Sequence, residues 1–250
     1  MVVPLVLVAL AAILYVAAAM KQGYQGLGWS WWRVASFTLG SAVLAVGLLP
    51  QYLPFGDGDF RKHMVQHILM GMLAPLGLVM AAPITLLLKT APASYGRVIS
   101  RILRSGPIHL LANPVAALVR NIGGMAALYL TPLYLQMMTH PSLHYLVHFH
   151  FVAAGCLYTW VIAGPDPAPR RATVPARLVA LGFGVFAHSV LAQSLYSGLF
   201  IALPIPSDQL TAGAELMYFG GDITEMLLAF ALVSTWRPSP KFKHAIETGR

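Results

Sequence analysis

Histidines recur in this chain at a spacing suited to holding a metal ion. His63 and His67 lie four apart in HMVQHILMGMLAPLGLVMAAP, residues 63–83. His144 and His148 lie four apart in HPSLHYLVHFH, residues 140–150. Residues at i and i+4 share one helical face, so each pair can offer two imidazoles to one ion. Histidine is also the commonest side-chain metal ligand. His140 stands just before the second pair, His188 is alone in a third apolar stretch, and Asp222 follows Gly220 and Gly221 in a fourth. Met64 is next to His63, with Met137 and Met138 further on. A thioether beside imidazoles suits Cu(I). The candidate metal set is therefore His63, His67, His144 and His148, with His140, His188, Asp222 and Met64 around it. The competing readings are plain ones. A single histidine in an apolar helix is commonly a packing residue, methionine is a common core filler, and Asp222 could bond a neighbouring helix across the two glycines. His150 is two residues of rotation away from the His144–His148 face. Glu215 and Glu225 are weaker candidates, and Asp208 is expected to be the N-cap of the last helix.

These side chains need scaffolding, and the composition says which kind. Of 250 residues, 58% are hydrophobic and only 10% are charged. A soluble domain carries roughly 25% charged residues. Apolar runs fall at about 3–20, 33–50, 61–88, 114–138, 141–163, 175–200 and 209–235. Runs of this length are read as membrane spans. The fold class expected is all-α, one polytopic domain over residues 1–250 with seven transmembrane helices and a basic tail, 236–250. Pro114, Pro141 and Pro175 suit helix starts. Pro75 and Pro83 should kink or break the long third run. With the N-terminus outside and the C-terminus inside, every Lys and Arg except Arg61 and Lys62 falls on the inner side, as the positive-inside rule requires. The first run has AAA before Met20 but no basic segment ahead of it, so a retained span is expected rather than a cleaved signal peptide. Arg97, Arg101 and Arg104 share one helical face between the third and fourth runs, as a helix lying on anionic lipid would, or as an ordinary inner loop would.

With that topology, His63, His67, His144 and His148 lie at one depth near the outer surface. His188 and Asp222 lie near the midplane. Ionisable groups inside a membrane are costly and point to function. The net charge of +8 does not indicate nucleic acid, because the basic residues sit in short loops between the runs. The lipid bilayer is the partner they suit. Cys156 is the only cysteine, so paired-cysteine copper chemistry and an intramolecular disulfide are excluded. Other chemistries fit histidines in a membrane. A b-type haem needs one axial histidine from each of two facing helices. A zinc hydrolase could use His188 and Asp222. A metal transporter would need ligands through the inner half, which is poor in them. No nucleophile–base pair is evident, so an enzyme is not expected.

Four stretches together resemble the CtaG family of caa-type cytochrome c oxidase assembly factors. HMVQHILMGMLAPLGLVMAAP is similar to the family's histidine-bearing third helix. HPSLHYLVHFHFVAAGCLYTWVIAGPDP is similar to its HPxxHxxxH segment with a GxDP turn, here Gly164-Pro165-Asp166-Pro167. RLVALGFGVFAHSVLA is similar to its sixth helix, and SDQLTAGAELMYFGGD, less closely, to its seventh, with Tyr218 where Trp is usual. The resemblance implies a role in maturing a haem–copper oxidase, by handling copper for the oxidase's metal centre. It implies a copper-containing catalytic subunit of the oxidase as partner, a periplasmic copper donor upstream, and a bacterial plasma (inner) membrane with the metal site on the periplasmic side.

Overall fold

The computed structural model describes residues 2–199 and 203–236. The basic tail expected after Trp236 and the last residue of the 175–200 run lie outside these residues. The chain is helical throughout, with no strand among the described residues. Helix α1 is Val2–Tyr24 and α2 is Trp31–Gly47. A long stretch follows in pieces: α3 (Phe60–His67), a π turn (Ile68–Leu73), α4 (Ala74–Met80) and α5 (Pro83–Thr90). Two short helices, α6 (Ala93–Leu103) and α7 (Gly106–Leu111), lead to α8 (Pro114–Tyr129) and α9 (Leu133–Thr139). The chain closes with α10 (Pro141–Ile162), α11 (Val174–Ser197) and α12 (Ser207–Ser234).

Among the described residues, five stretches are long and apolar enough to cross a membrane: Val2–Tyr24, Phe60–Thr90, Pro141–Ile162, Val174–Ser197 and Ser207–Ser234. The outer faces of α10, α11 and α12 carry exposed Phe149, Phe183, Phe186, Phe219 and Phe230. Phenylalanines left open on three adjacent helices suit lipid, since water would drive such a surface to associate. Both observations point to a membrane protein. Helices α2 and α8 have 17 and 16 residues, a length of about 25 Å at 1.5 Å per residue.

Proline governs the interruptions. Pro75 has no N–H to donate, and its ring would strike the carbonyl of Gly71, four residues back. The helix opens into the π turn at 68–73 there. The Gly71 carbonyl is turned toward α10, where Gly155 lies so close that any Cβ would collide with it. The second break is at Ala82, whose φ of 57° is left-handed. Such backbone costs a non-glycine residue about 1 kcal/mol or more, and three contacts hold it. Asp166, in the GPDP turn, accepts hydrogen bonds from Ile84 N (3.0 Å), Thr85 N (2.7 Å) and the Thr85 hydroxyl (2.6 Å). It caps α5 from a distant part of the chain, because Pro83 follows a residue with no capping side chain. The Tyr15 hydroxyl donates to the freed carbonyl of Ala81 at 2.7 Å. Arg171 donates to the carbonyls of Gly164 and Asp166 and so fixes the turn. The breaks expected at Pro75 and Pro83 are both present.

One expected span differs. The run 114–138 is two helices, since α8 stops at Tyr129 and α9 begins after Pro132. Thr131 donates its hydroxyl to Ala127 O and receives Leu133 N, stitching the corner. The bend turns Tyr134 inward against Phe60, with ring centroids 5.4 Å apart. Asp208 also differs from expectation. Pro206 takes the N-cap position of α12 and makes no side-chain cap, which places Asp208 inside the first turn. Proline's fixed φ suits the residue that starts the helix there.

Candidate functional site

The histidines come together at one end of α3, enclosed by α10, α11 and α12 and closed off by the α8–α9 corner. His63, His67, His148 and His188 are all buried, and Met64 is fully so. They arrive from three helices. His63 and His67 come from α3, His148 from α10 and His188 from α11.

His63 is the partnered one. Its Nε2 lies 3.0 Å from the Tyr129 hydroxyl, and that hydroxyl is 3.7 Å from the Met64 sulfur. A hydroxyl has one proton, so it donates to either the ring or the thioether. The ring sits edge-on to Tyr134 at 5.1 Å and against Tyr129 at 5.9 Å. An aromatic box thus fixes the orientation of His63.

His67 is different. It is buried, and neither ring nitrogen has a hydrogen-bond partner. Phe151 of α10 lies against its ring, centroids 4.8 Å apart. Gly71 lies beneath it, one turn on, where a Cβ would come 3.4 Å from Nδ1. The π turn and the glycine together make room for this ring. Its nearest titratable ring is His188, at 6.2 Å between centroids and 29° between planes.

His188 is equally bare. Both of its ring nitrogens lack a hydrogen bond. Nδ1 is 3.9 Å from Glu225 Oε1, and Glu225 Oε2 is itself unpartnered. The ring is wedged against Gly221, where a Cβ would overlap it. On α10, His144 and His148 are in ring contact, centroids 4.2 Å apart, and His148 Nε2 has no partner. His144 is half-buried. Leaving a buried polar atom unpaired costs roughly 1–3 kcal/mol. Native structures show few such atoms, and a group of them calls for a ligand, an ion or a water.

The other sequence candidates lie elsewhere. His140 is exposed, its Nδ1 3.0 Å from Gln136 O and 2.9 Å from the Thr139 hydroxyl. Asp222 is half-buried one turn before Glu225. Met137 packs into the core around Met64, and Met138 is exposed. Among the described residues, no three His, Cys, Asp or Glu side chains lie close enough together to hold one metal ion. What the fold brings together is pairs: His67 with His188, and His144 with His148. Below them a cavity of about 30 Å³ is lined by Asn121, Tyr158, Thr159, Thr224 and Glu225. It is about the size of a water molecule.

A family model for the cytochrome c oxidase caa3 assembly factor, Caa3_CtaG, matches residues 13–239. The chain belongs to that family. Among curated proteins it is similar to an uncharacterized protein of Mycobacterium bovis, 27% identical over 245 residues. A Mycobacterium tuberculosis protein gives the same identity, and one from Mycobacterium leprae is 23% identical over 242 residues. These alignments cover 90%, 90% and 89% of this chain and 37% of each relative. The chain thus spans little more than a third of the length of the curated relatives it matches. No solved structure matches it.

Two residues of this family member stand out that sequence reasoning underrated. Glu225, not Asp222, is the carboxylate beside His188. The signal was present: Gly221 and Glu225 are four apart, so the face that meets His188 carries Glu225 one turn later. Tyr129 carried no signal, because only tertiary packing brings the last residue of α8 to His63, 66 positions away. The GPDP turn, a motif of the family resemblance, is a structural clasp on α5 and lies away from the histidines.

Proposed function

We propose that this cytochrome c oxidase assembly factor carries copper on its buried histidines and passes it to the copper-containing catalytic subunit of a haem–copper oxidase. The observation that carries the reading is the set of buried, unpartnered ring nitrogens on His67, His148 and His188. Imidazole nitrogens without hydrogen bonds are the donors a copper ion needs. Met64 offers a thioether beside them, and His63, held by Tyr129, flanks the group. Pairs of imidazoles, and not a closed set of four donors, suit an ion that must leave again, since structural sites fill their coordination. His144 and His140 lie on the exposed side of His148, where copper from a periplasmic donor would enter.

The same reading takes the chain as one domain of seven spans: α1, α2, α3–α5, α8–α9, α10, α11 and α12. Contacts between helix ends support that alternation. Lys21 and Gln22, at the end of α1, bond the carbonyls of Thr90 and Lys89 at the end of α5. Arg33, at the start of α2, and Lys89 both lie on the Trp29 ring. These ends therefore share one membrane surface, which the charge asymmetry makes the inner one. The histidine end then faces the periplasm of a bacterial plasma membrane.

Metal analysis of the protein purified from copper-supplied cells tests the proposal. The wild type should retain copper without a Soret band, and His67→Ala/His188→Ala should lose at least about tenfold of it, the cost of one good ligand or more. Oxidase maturation should fail in the same variant. Copper retained unchanged in the double variant, with normal oxidase, would sink the reading. Haem in the wild type would move the histidines to axial ligation, and zinc would move them to hydrolysis.

A further inference from the structure

We propose that α6 is an interfacial helix that binds anionic phospholipid headgroups through Arg97, Arg101 and Arg104. The inference is independent of copper and requires only that the chain sits in a membrane.

Helix α6 has two opposed faces. Arg97, Arg101 and Arg104 fall at i, i+4 and i+7, within one narrow arc of the helix. Tyr95 and Ile102 fall on the opposite side, with Val98 on the flank between. No residue of α6 is buried. Tyr95 is 63% exposed, Val98 50% and Ile102 53%. An amphipathic helix inside a soluble fold would turn its apolar stripe to the core. This one leaves Tyr95, Val98 and Ile102 open, with Ile99 and Leu103 only half-buried beside them.

Its position settles what covers them. Helix α6 starts three residues after the end of α5. The end of α5 is held beside Lys21, Arg33 and Trp29. Basic residues interleaved with tryptophan mark the headgroup level of a bilayer. Helix α6 therefore leaves the protein at the membrane surface. A helix in that plane buries its apolar face among acyl chains and keeps its cations at the headgroups.

The arginines are free for such a partner. Among the described residues, none of the three is paired with a carboxylate. They line an open groove of about 880 Å³ with Leu88, Gly96, Ser100 and Ser105. The planar fork of arginine matches phosphate oxygens in two-point contacts. Three forks beside serine hydroxyls and an apolar floor fit the phosphate and first acyl carbons of an anionic lipid.

The test uses nitroxide labels on the full chain in phosphatidylcholine vesicles, with or without phosphatidylglycerol. Ile102→Cys reports the apolar face and Ser100→Cys the arginine face, each in a Cys156→Ala background. With phosphatidylglycerol, the label at 102 should be open to oxygen and shielded from a water-soluble nickel chelate. The label at 100 should show the reverse. Replacing all three arginines by glutamine should raise nickel access at 102 about tenfold, as the anionic-surface attraction is removed. Replacing them by lysine should keep the shielding, which separates lost charge from lost fold. Equal nickel access at both positions in every vesicle would overturn the proposal, as would unchanged shielding in the glutamine variant. Inorganic phosphate added to pure phosphatidylcholine vesicles should not restore the effect. If it does, the groove is a free-anion site and the lipid assignment falls.

Discussion

Two buried polar regions of this chain are built on opposite terms. At the GPDP turn, the buried carboxylate has its partners. Asp166, only 2% exposed, takes hydrogen bonds from Ile84, Thr85 main chain and Thr85 side chain, while Arg171 takes the turn's carbonyls. Around His67 and His188, equally buried rings have none. A fully satisfied network rigidifies a fold, and an unsatisfied one weakens it. The difference separates a region that holds the chain from a region that the chain holds ready. Both would look alike in a count of buried charges and rings.

Breaking the clasp should have the largest effect. Asp166→Ala leaves two main-chain N–H groups and a left-handed Ala82 without support. Unfolding in micelles should show a loss of about 3 kcal/mol or more. Next comes Gly221→Ala, whose new methyl must displace the His188 ring. It should cost about 1–3 kcal/mol by overpacking and weaken copper retention with it. His67→Leu should do the opposite of Asp166→Ala. Replacing an unpartnered ring by a hydrocarbon of similar volume should change stability by less than about 1 kcal/mol, while copper retention falls. If His67→Leu destabilises as strongly as Asp166→Ala, the distinction between the two regions is wrong. The smallest effect concerns the turn before α3. The Arg61 guanidinium, 2.7 Å from Asp59, holds that carboxyl below its usual range. A carboxylate lowered in the folded state stabilises it above the usual range, and this contribution is lost as pH falls through the lowered value. Asp59→Asn should remove only the acid side of the stability profile, seen as a flatter curve below about pH 4.

The sequence made the membrane helices and their interruptions legible because proline, apolar length and charge placement act locally. Pro75 and Pro83 marked their breaks, whereas Pro132 was read through because the flanking residues are apolar on both sides. The histidines were legible as types, and His67 and His188 do meet. Their pairing was not legible. The i,i+4 logic joins His63 to His67, yet the aromatic box around His63 and the bare ring of His67 give the two different surroundings. Those surroundings come from helices hundreds of atoms away along the chain, and no period within α3 encodes which neighbour each residue faces. Asp222 was preferred to Glu225 for following the glycines, although the i,i+4 rule from Gly221 favours the latter.

The π turn at 68–73 gives the long third stretch one residue more than a regular helix would use. Each residue turns an α-helix by about 100°. Deleting one residue from this turn would let the segment close into continuous α-helix, with α4 and α5 still anchored by Asp166. The π turn takes up its extra residue by widening, so this closure would keep the two flanking lengths facing as they do now, whereas a deletion within the regular helix of α4 would swing the upper part through about a quarter turn, carrying His67 off the α11 side. The surplus residue is thus slack stored between two rigid lengths of helix, one set by the clasp and the other by the histidines. Single deletions within 68–73 and within α4 would read the difference, with copper retention surviving the first and lost in the second.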